Sequence, residues 1–232
     1  MERAVPKPVG LRKKPSPGKE RATALSQNEQ AYARLREALT TLAYKPGDYL
    51  NIASLMHELA LGRTPINHAL HRLSNEGLVQ IIPRKGVMVS PLSIDDALDL
   101  IDVRMANENL CARMTAAKIT KAELQQLKNL AREIDEAVER HNMAQVMNAD
   151  RLFHEHIALA ARNPILVEIL KVLHARSQRF WAISLSAEGH LEEVKAEHRA
   201  IIDALAKADP DASAAAVEAH VLSFKRSLLH TR

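Results

Sequence analysis

The sequence predicts a mostly α-helical protein: an N-terminal winged helix-turn-helix followed by a C-terminal antiparallel bundle of about six helices. Three observations carry this. Six of the seven glycines fall in residues 1–86, and past Pro91 only Pro164, Gly189 and Pro210 interrupt the chain, as a helical bundle requires. Charge divides at the same place, with 14 Lys/Arg against 7 Asp/Glu in residues 1–92 and 18 against 21 in residues 93–232. Two short β-branched runs, Leu78–Ile82 and Val87–Val89, flank Arg84-Lys85-Gly86, which reads as a hairpin with a basic turn.

The elements follow in order. Residues 1–24, with Pro6, Pro8, Pro15 and Pro17 among lysines and arginines, read as a disordered basic arm. From Ser26 the spacing of Tyr32, Leu35, Leu39 and Leu42 predicts a first helix, ended by Pro46-Gly47-Asp48. Asn51 caps a short second helix carrying Ile52, Leu55, Met56 and Leu59. After Gly62 a third helix runs from about Thr64 or Pro65 to Gly77. Three helices closed by a basic hairpin outline the winged unit, residues 25–91. Residues 92–232 form the helical part, with helices expected at about 93–117, 120–141, 143–162, 164–187, 190–208 and 211–230. Ser93 and Thr120 each precede an acidic residue by three positions, and Asn163-Pro164 and Asp209-Pro210 place a cap before a first-turn proline.

Composition excludes several function classes. No Gly-rich phosphate loop is present, so P-loop and dinucleotide chemistry are out. Aromatic residues make up 3% of the chain, too few for a base-stacking platform. Cys111 is the one cysteine, which rules out an intrachain disulfide and a cysteine-rich metal site. No apolar run is long enough to span a membrane, and the basic N-terminus lacks the apolar core of a secretory signal, so a cytoplasmic protein is expected.

In a helix-turn-helix the second helix of the pair enters the major groove, its N-terminal side chains at the base edges. Here that end reads Arg63-Thr64-Pro65-Ile66-Asn67-His68. Arg63 has the fork for guanine O6 and N7, and Asn67 can pair bidentately with adenine. Thr64 and the helix N-terminus suit a phosphate oxygen, with His68 beside them. Arg72, further along, is placed for the backbone, and Arg84, Lys85 and Gly86 at the wing tip for phosphate or the minor groove.

These residues carry a family resemblance. Leu59-Ala60-Leu61-Gly62-Arg63-Thr64-Pro65-Ile66, Glu76-Gly77-Leu78-Val79 and Gly86-Val87 resemble the N-terminal domain of GntR-type bacterial transcription regulators. The remainder is similar to the FCD effector domain of the FadR/VanR branch, through Arg104-x-x-x-Glu108, Asp150-x-x-Phe153-His154, Ala161-x-Asn163-Pro164, Glu197-His198-x-x-Ile201 and the late His220. Six C-terminal helices look more like the VanR subgroup than the seven-helix FadR type. One departure stands in the recognition helix, where the family usually has Arg-Glu and this chain has Asn67-His68. A particular operator sequence therefore does not carry over.

Inside the bundle, Asp150 and His154 are four residues apart and share a helix face with Val146, Phe153 and Ile157. His198 lies on a stripe with Val194, Ile201 and Leu205, and His220 on one with Val217, Phe224 and Leu228. Left unpaired inside, such groups cost roughly 1–3 kcal/mol each. A divalent ion bound by three imidazoles and a carboxylate would satisfy them together. Phase alone leaves His156 in play; the resemblance implies Asp150, His154, His198 and His220 as the ligands. Zinc is the expected ion, with nickel and manganese as alternatives. Arg104 shares a face with Leu100, Ile101 and Cys111. It either pairs with Glu108 or, as the resemblance implies, meets the acid group of a small carboxylate effector.

The expectation is a homodimeric, ligand-responsive DNA-binding regulator, a repressor of a palindromic double-stranded operator, with a metal and a small organic acid in its helical part. Two alternatives stay open. One is a constitutive DNA-binding dimer with a purely structural bundle. The other is a metal-dependent hydrolase, for which Glu155 is the nearest candidate base.

Overall fold

The computed structural model describes residues 25–184 and 190–230. The basic arm expected over residues 1–24 lies outside the described residues. The N-terminal unit comprises α1 (Gln27–Thr40), β1 (Tyr49–Leu50), α2 (Ile52–Leu59), α3 (Arg63–Asn75), β2 (Val79–Ile82) and β3 (Gly86–Val89). The bundle comprises α4 (Ile94–Ala116), α5 (Lys121–Glu139), α6 (Met143–Ala160), α7 (Pro164–Ser184), α8 (His190–Ala206) and α9 (Pro210–His230). The predicted fold class is the observed one.

The helix starts are set by the capping residues. Ser26, Asn51 and Ser93 each accept a backbone N–H of the following turn. Thr120 and Glu123 close a reciprocal capping box. Asn163 and Asp209 cap the two Pro-initiated helices. The recognition helix starts at Arg63, one residue earlier than its spacing suggested, because Gly62 serves as its N-cap without a side-chain bond. Ala60 bends into the left-handed region at φ 52°, which turns α2 into α3.

The hairpin gains a third strand. β1 pairs antiparallel with β3, and β3 with β2, in the order β1-β3-β2. The wing turn is Pro83-Arg84-Lys85, with Arg84 at φ 63° and Gly86 at φ 109°.

Two apolar clusters hold the chain. In the first, Leu35, Leu39, Leu55, Ile66, Leu70, Leu73 and Leu78 fill the space between α1, α2, α3 and the sheet. The second runs through the bundle along Ile101, Leu127, Ile134, Phe153, Leu170 and Ile201. Helix α7 belongs to both: Leu170 packs in the bundle, whereas Ala175 is fully buried against the N-terminal cluster. Three arginines lock this junction by donating to backbone carbonyls. Arg36 donates to Lys171 O at 3.0 Å, Arg176 to Glu76 O at 2.8 Å, and Arg179 to Ser90 O. Among the described residues no helix is long and apolar enough to cross a membrane.

Candidate metal centre and DNA-reading face

Five helices converge on one polar cluster in the bundle. Arg104 from α4, Asp150 and His154 from α6, His174 from α7, Glu197 from α8 and His220 from α9 line a cavity there. Behind its wall, Glu108 of α4 lies against His154 and His174, and His198 of α8 against Asp150. Each comes inward because its apolar neighbours at helical spacing do: Phe153 and Ile157 on α6, Ile201 and Leu205 on α8, Val217 and Phe224 on α9. The four residues expected as ligands are thus brought together. Ligand nitrogens of His154, His198 and His220 all lie within 4.8 Å of one another. Asp150 Oδ1 is 3.3 Å from His198 Nε2 and 3.7 Å from His154 Nε2.

His198 tests whether these residues suit a cation. It is 1% exposed; its Nε2 lies 3.3 Å from the Asp150 carboxylate, and its Nδ1 has no hydrogen-bond partner among the described residues. Its ring is packed against Phe153 at 4.4 Å between centroids. A buried ring nitrogen left without a partner carries a cost of roughly 1–3 kcal/mol, and nothing apolar around it offsets that. An ion shared with Asp150, His154 and His220 does. The donor set, three borderline nitrogens and one oxygen, is one that zinc accepts.

Protonation states agree. Burial on its own would raise the Asp150 carboxyl, but His154, His198 and His220 outweigh it and hold the group well below the usual carboxylate range. Burial pushes His154 well below its ordinary value, with His174 and His220 adding to the shift against the pull of Asp150 and Glu108. Burial likewise lowers His198. An ionised carboxylate among neutral imidazoles is the state that metal binding requires.

A second row of groups aims the first, and spacing alone missed most of it. His220 Nδ1 lies 2.9 Å from Glu197 Oε2, which leaves Nε2 for the cavity. Glu108 is the hub of the other side. Burial opposes its ionisation, yet Arg104 at 2.6 Å and His174 at 3.2 Å keep it charged. Its second oxygen is 4.0 Å from His154 Nδ1. The Arg104–Glu108 pair and the placement of Arg104 on the cavity wall therefore coexist: Nε is committed to Glu108, and the residue still lines the cavity. His174 was legible by the same phase test, since Leu166, Leu170, Ser177 and Trp181 share its face of α7. His156 is not part of the cavity; its Nδ1 meets Leu152 O at 2.9 Å. Glu155 is ion-paired to Arg151 at 2.8 Å and lines the neighbouring grooves instead. The cavity measures about 40 Å³, room for a few waters or for an ion and the head of a small acid.

On the N-terminal unit, Arg63, Thr64 and His68 are exposed along α3, and Asn67 is half-buried beside them. His71, one turn past His68 and equally exposed, extends this face and was not singled out from the sequence. Gly62 offers no side-chain cap, so the first-turn N–H groups of α3 face outward with Arg63. Arg84, Lys85 and Gly86 stand exposed at the wing tip. Arg72 is engaged within the unit. It pairs with Glu29 at 3.1 Å and Glu76 at 3.5 Å, and its guanidinium lies 3.5 Å over the Tyr32 ring. That engagement competes with the DNA contact expected of it.

Comparison with known proteins gives the same two-part picture. The family described as "Bacterial regulatory proteins, gntR family" matches residues 27–89, and "FCD domain" matches residues 99–223. The chain is 26% identical over 205 residues to the HTH-type transcriptional repressor RspR of Escherichia coli K12, covering 88% of this chain and 90% of that one. It is 28% identical over 186 residues to the Nta operon transcriptional regulator of Aminobacter aminovorans, covering 77% and 83%. The solved structure of E. coli McbR/YncC shares its fold, with a TM-score of 0.82 at 22% identity over 89% of this chain and 99% of that one. These relatives are regulators, not enzymes. The chain belongs to the gntR family of bacterial regulatory proteins, as a transcriptional regulator that carries an FCD domain behind its winged DNA-binding unit.

Proposed function

We propose that this regulator is a cytoplasmic homodimeric repressor that holds a divalent metal, zinc first, through Asp150, His154, His198 and His220. A small organic acid bound at that metal then changes its grip on an operator. The observation that carries the reading is the convergence of the buried His154, His198 and His220 ring nitrogens within 4.8 Å of one another beside an ionised Asp150. When bound, the metal would supply a Lewis-acidic centre; with four protein ligands filling a tetrahedral shell, an acid would join by raising the coordination number. Arg104 lines the same cavity, and its terminal nitrogens are the donors left for the acid's second oxygen. The DNA-contact set is Arg63, Thr64, Asn67, His68 and the wing residues Arg84, Lys85 and Gly86, with Arg72 as the weakest member.

Transmission follows α7. His174, Ser177, Gln178 and Trp181 line the cavity, while Ala175 and Arg176 on the same helix are buried in, or bonded to, the DNA-binding unit. A ligand that shifts α7 toward or away from the cavity moves the C-terminal end of the recognition helix with it. It does so only to the extent that it binds the two positions unequally.

Trp181 is the single tryptophan of the chain and lines the cavity, so its fluorescence reports ligand entry directly. The test pairs that signal with anisotropy of a labelled duplex recovered by selection from random DNA. A panel of two- to six-carbon acids is added to zinc-loaded protein. At least one acid is expected to change Trp181 emission and weaken duplex binding about 5–150-fold, a coupling of 1–3 kcal/mol. Unchanged duplex affinity at acid concentrations that saturate the Trp181 signal overturns the switch.

A further inference from the structure

α7 separates two cavities. One face looks into the metal cavity; the other looks into a crevice of about 740 Å³ between the bundle and the DNA-binding unit, walled by Ile81, Leu100 and Phe180. Two arginines of α7, Arg176 and Arg179, stand one turn apart on that second face. Arg179 is 2% exposed, yet among the described residues its one bond is from a terminal nitrogen to the Ser90 carbonyl, and its Nε has no partner there. Arg176, which is exposed, is bonded among the described residues to a carbonyl, that of Glu76. Among the described residues, no carboxylate comes within ion-pair distance of either. The acids on the wall, Asp96 and Asp99, are exposed at the rim, where water screens them. Arg179, fully buried, is thus bonded to a neutral acceptor, with the exposed guanidinium of Arg176 beside it in the crevice.

That arrangement is costly as it stands. A guanidinium does not shed its proton to escape burial, so it needs an anion, and its planar fork suits two oxygens of one group. Burial and the neighbouring Arg176 pull Arg179 down to about 10, the direction expected of a cation short of counter-charge.

We propose that this crevice is a second ligand site, separate from the metal cavity, that takes a small oxyanion, carboxylate or phosphate, between Arg176 and Arg179. Its location gives it a consequence. Both arginines now spend donors on carbonyls of the DNA-binding unit, at the end of α3 and after β3. An oxyanion that recruits those donors competes with the bonds to Glu76 and Ser90 and loosens the hold of α7 on the winged unit. The inference does not depend on the metal being present.

The test uses the full-length protein as purified and two probes, inorganic phosphate and acetate. Each is titrated at constant ionic strength against chloride. Binding is followed by thermal melting and by the arginine Nε–H resonances of protein labelled with nitrogen-15. Saturable binding of at least one probe at millimolar concentration is expected, with a shift at the Arg179 Nε–H, and the probe that binds identifies the anion class. Arg179→Met is expected to abolish it, and His198→Ala/His220→Ala to leave it within twofold. Where Arg179→Met does not fold, Arg176→Gln decides, with an expected loss of affinity of fivefold or more. A non-saturating response to both probes, an unchanged affinity in Arg176→Gln, or loss of binding in the histidine double variant overturns the proposal.

Discussion

Arg176 and Glu76, one hundred positions apart in sequence, meet through a 2.8 Å hydrogen bond that ties the middle of α7 to the end of the recognition helix. Gly77 makes the approach possible. It sits at φ +77°, and a Cβ there would collide with the Arg176 guanidinium. Glu76 is held from its other side by the Tyr32 hydroxyl, which donates to it at 2.8 Å, and by Arg72. The family motif Glu-Gly at the end of α3 thus has a physical meaning in this chain: an anchored cap followed by a residue that leaves room for α7.

Two substitutions separate the parts of that junction. Gly77→Ala strains a left-handed backbone and pushes the Arg176 guanidinium off its bond to Glu76, and is expected to destabilise by about 1–3 kcal/mol, lowering the melting temperature by several degrees. Arg176→Ala is expected to keep metal content and fold but to reduce the effect of acid on duplex affinity at least threefold. Full retention of that effect would show that the signal takes another path.

The metal cavity predicts a graded series. His198→Ala and His220→Ala each remove a ligand and should abolish stoichiometric zinc. Glu108→Gln removes the group that faces His154 Nδ1 and His174 and should weaken zinc by about 10–100-fold without abolishing it. Competition against a chromophoric chelator measures all three. Equal affinities for Glu108→Gln and wild type would reduce Glu108 to a partner of Arg104 alone.

Much of this was legible in the residues. Asn51, Ser93, Thr120, Asn163 and Asp209 announce their helices because a cap is a local hydrogen bond that sequence spacing displays. The inward phase of His154, His198 and His220 is equally local. What spacing did not display depends on tertiary meetings. β1 is two residues long and exists only by pairing with β3. Ala175 is a small apolar residue whose burial comes from a different apolar cluster. Glu197 joins the cavity wall, and Glu108 meets His154 and His174, only once α8 faces α9 and α4 faces α6 and α7. Arg72 reads as a cation placed for the DNA backbone until α1 brings Glu29 and Tyr32 against it.

The buried imidazoles set a pH dependence in the metal-free protein. His154 and His198 are held below their ordinary value near 6.5 in the folded state, so the unfolded chain takes up protons first as the pH falls. Their neutral burial therefore costs nothing in proton linkage above about pH 6.5, and stability is lost progressively below it. The slope reaches up to about 1.4 kcal/mol per pH unit for each histidine. Melting at pH 7.5 and 5.5 is expected to show the drop, and His198→Phe to flatten it. A melting temperature that rises on acidification contradicts the burial of neutral rings.

On DNA, Arg63→Ala is expected to cost about 1–3 kcal/mol and to relax base preference at one position of a selected duplex. Arg84→Ala and Lys85→Ala should weaken all sequences alike and each lower the salt slope by about 1. Salt titrations of anisotropy distinguish the two behaviours. Arg72→Ala should act mainly on stability, since its guanidinium is engaged by Glu29, Glu76 and Tyr32.

The central claim is that four side chains from three helices hold one ion. Native mass spectrometry with elemental analysis, on protein reconstituted with zinc and then freed of excess, tests it most directly. One zinc per chain in the wild type and none in Asp150→Ala/His198→Ala/His220→Ala is the expected result. A folded wild-type protein that retains no transition ion after reconstitution with zinc, nickel or manganese would contradict it.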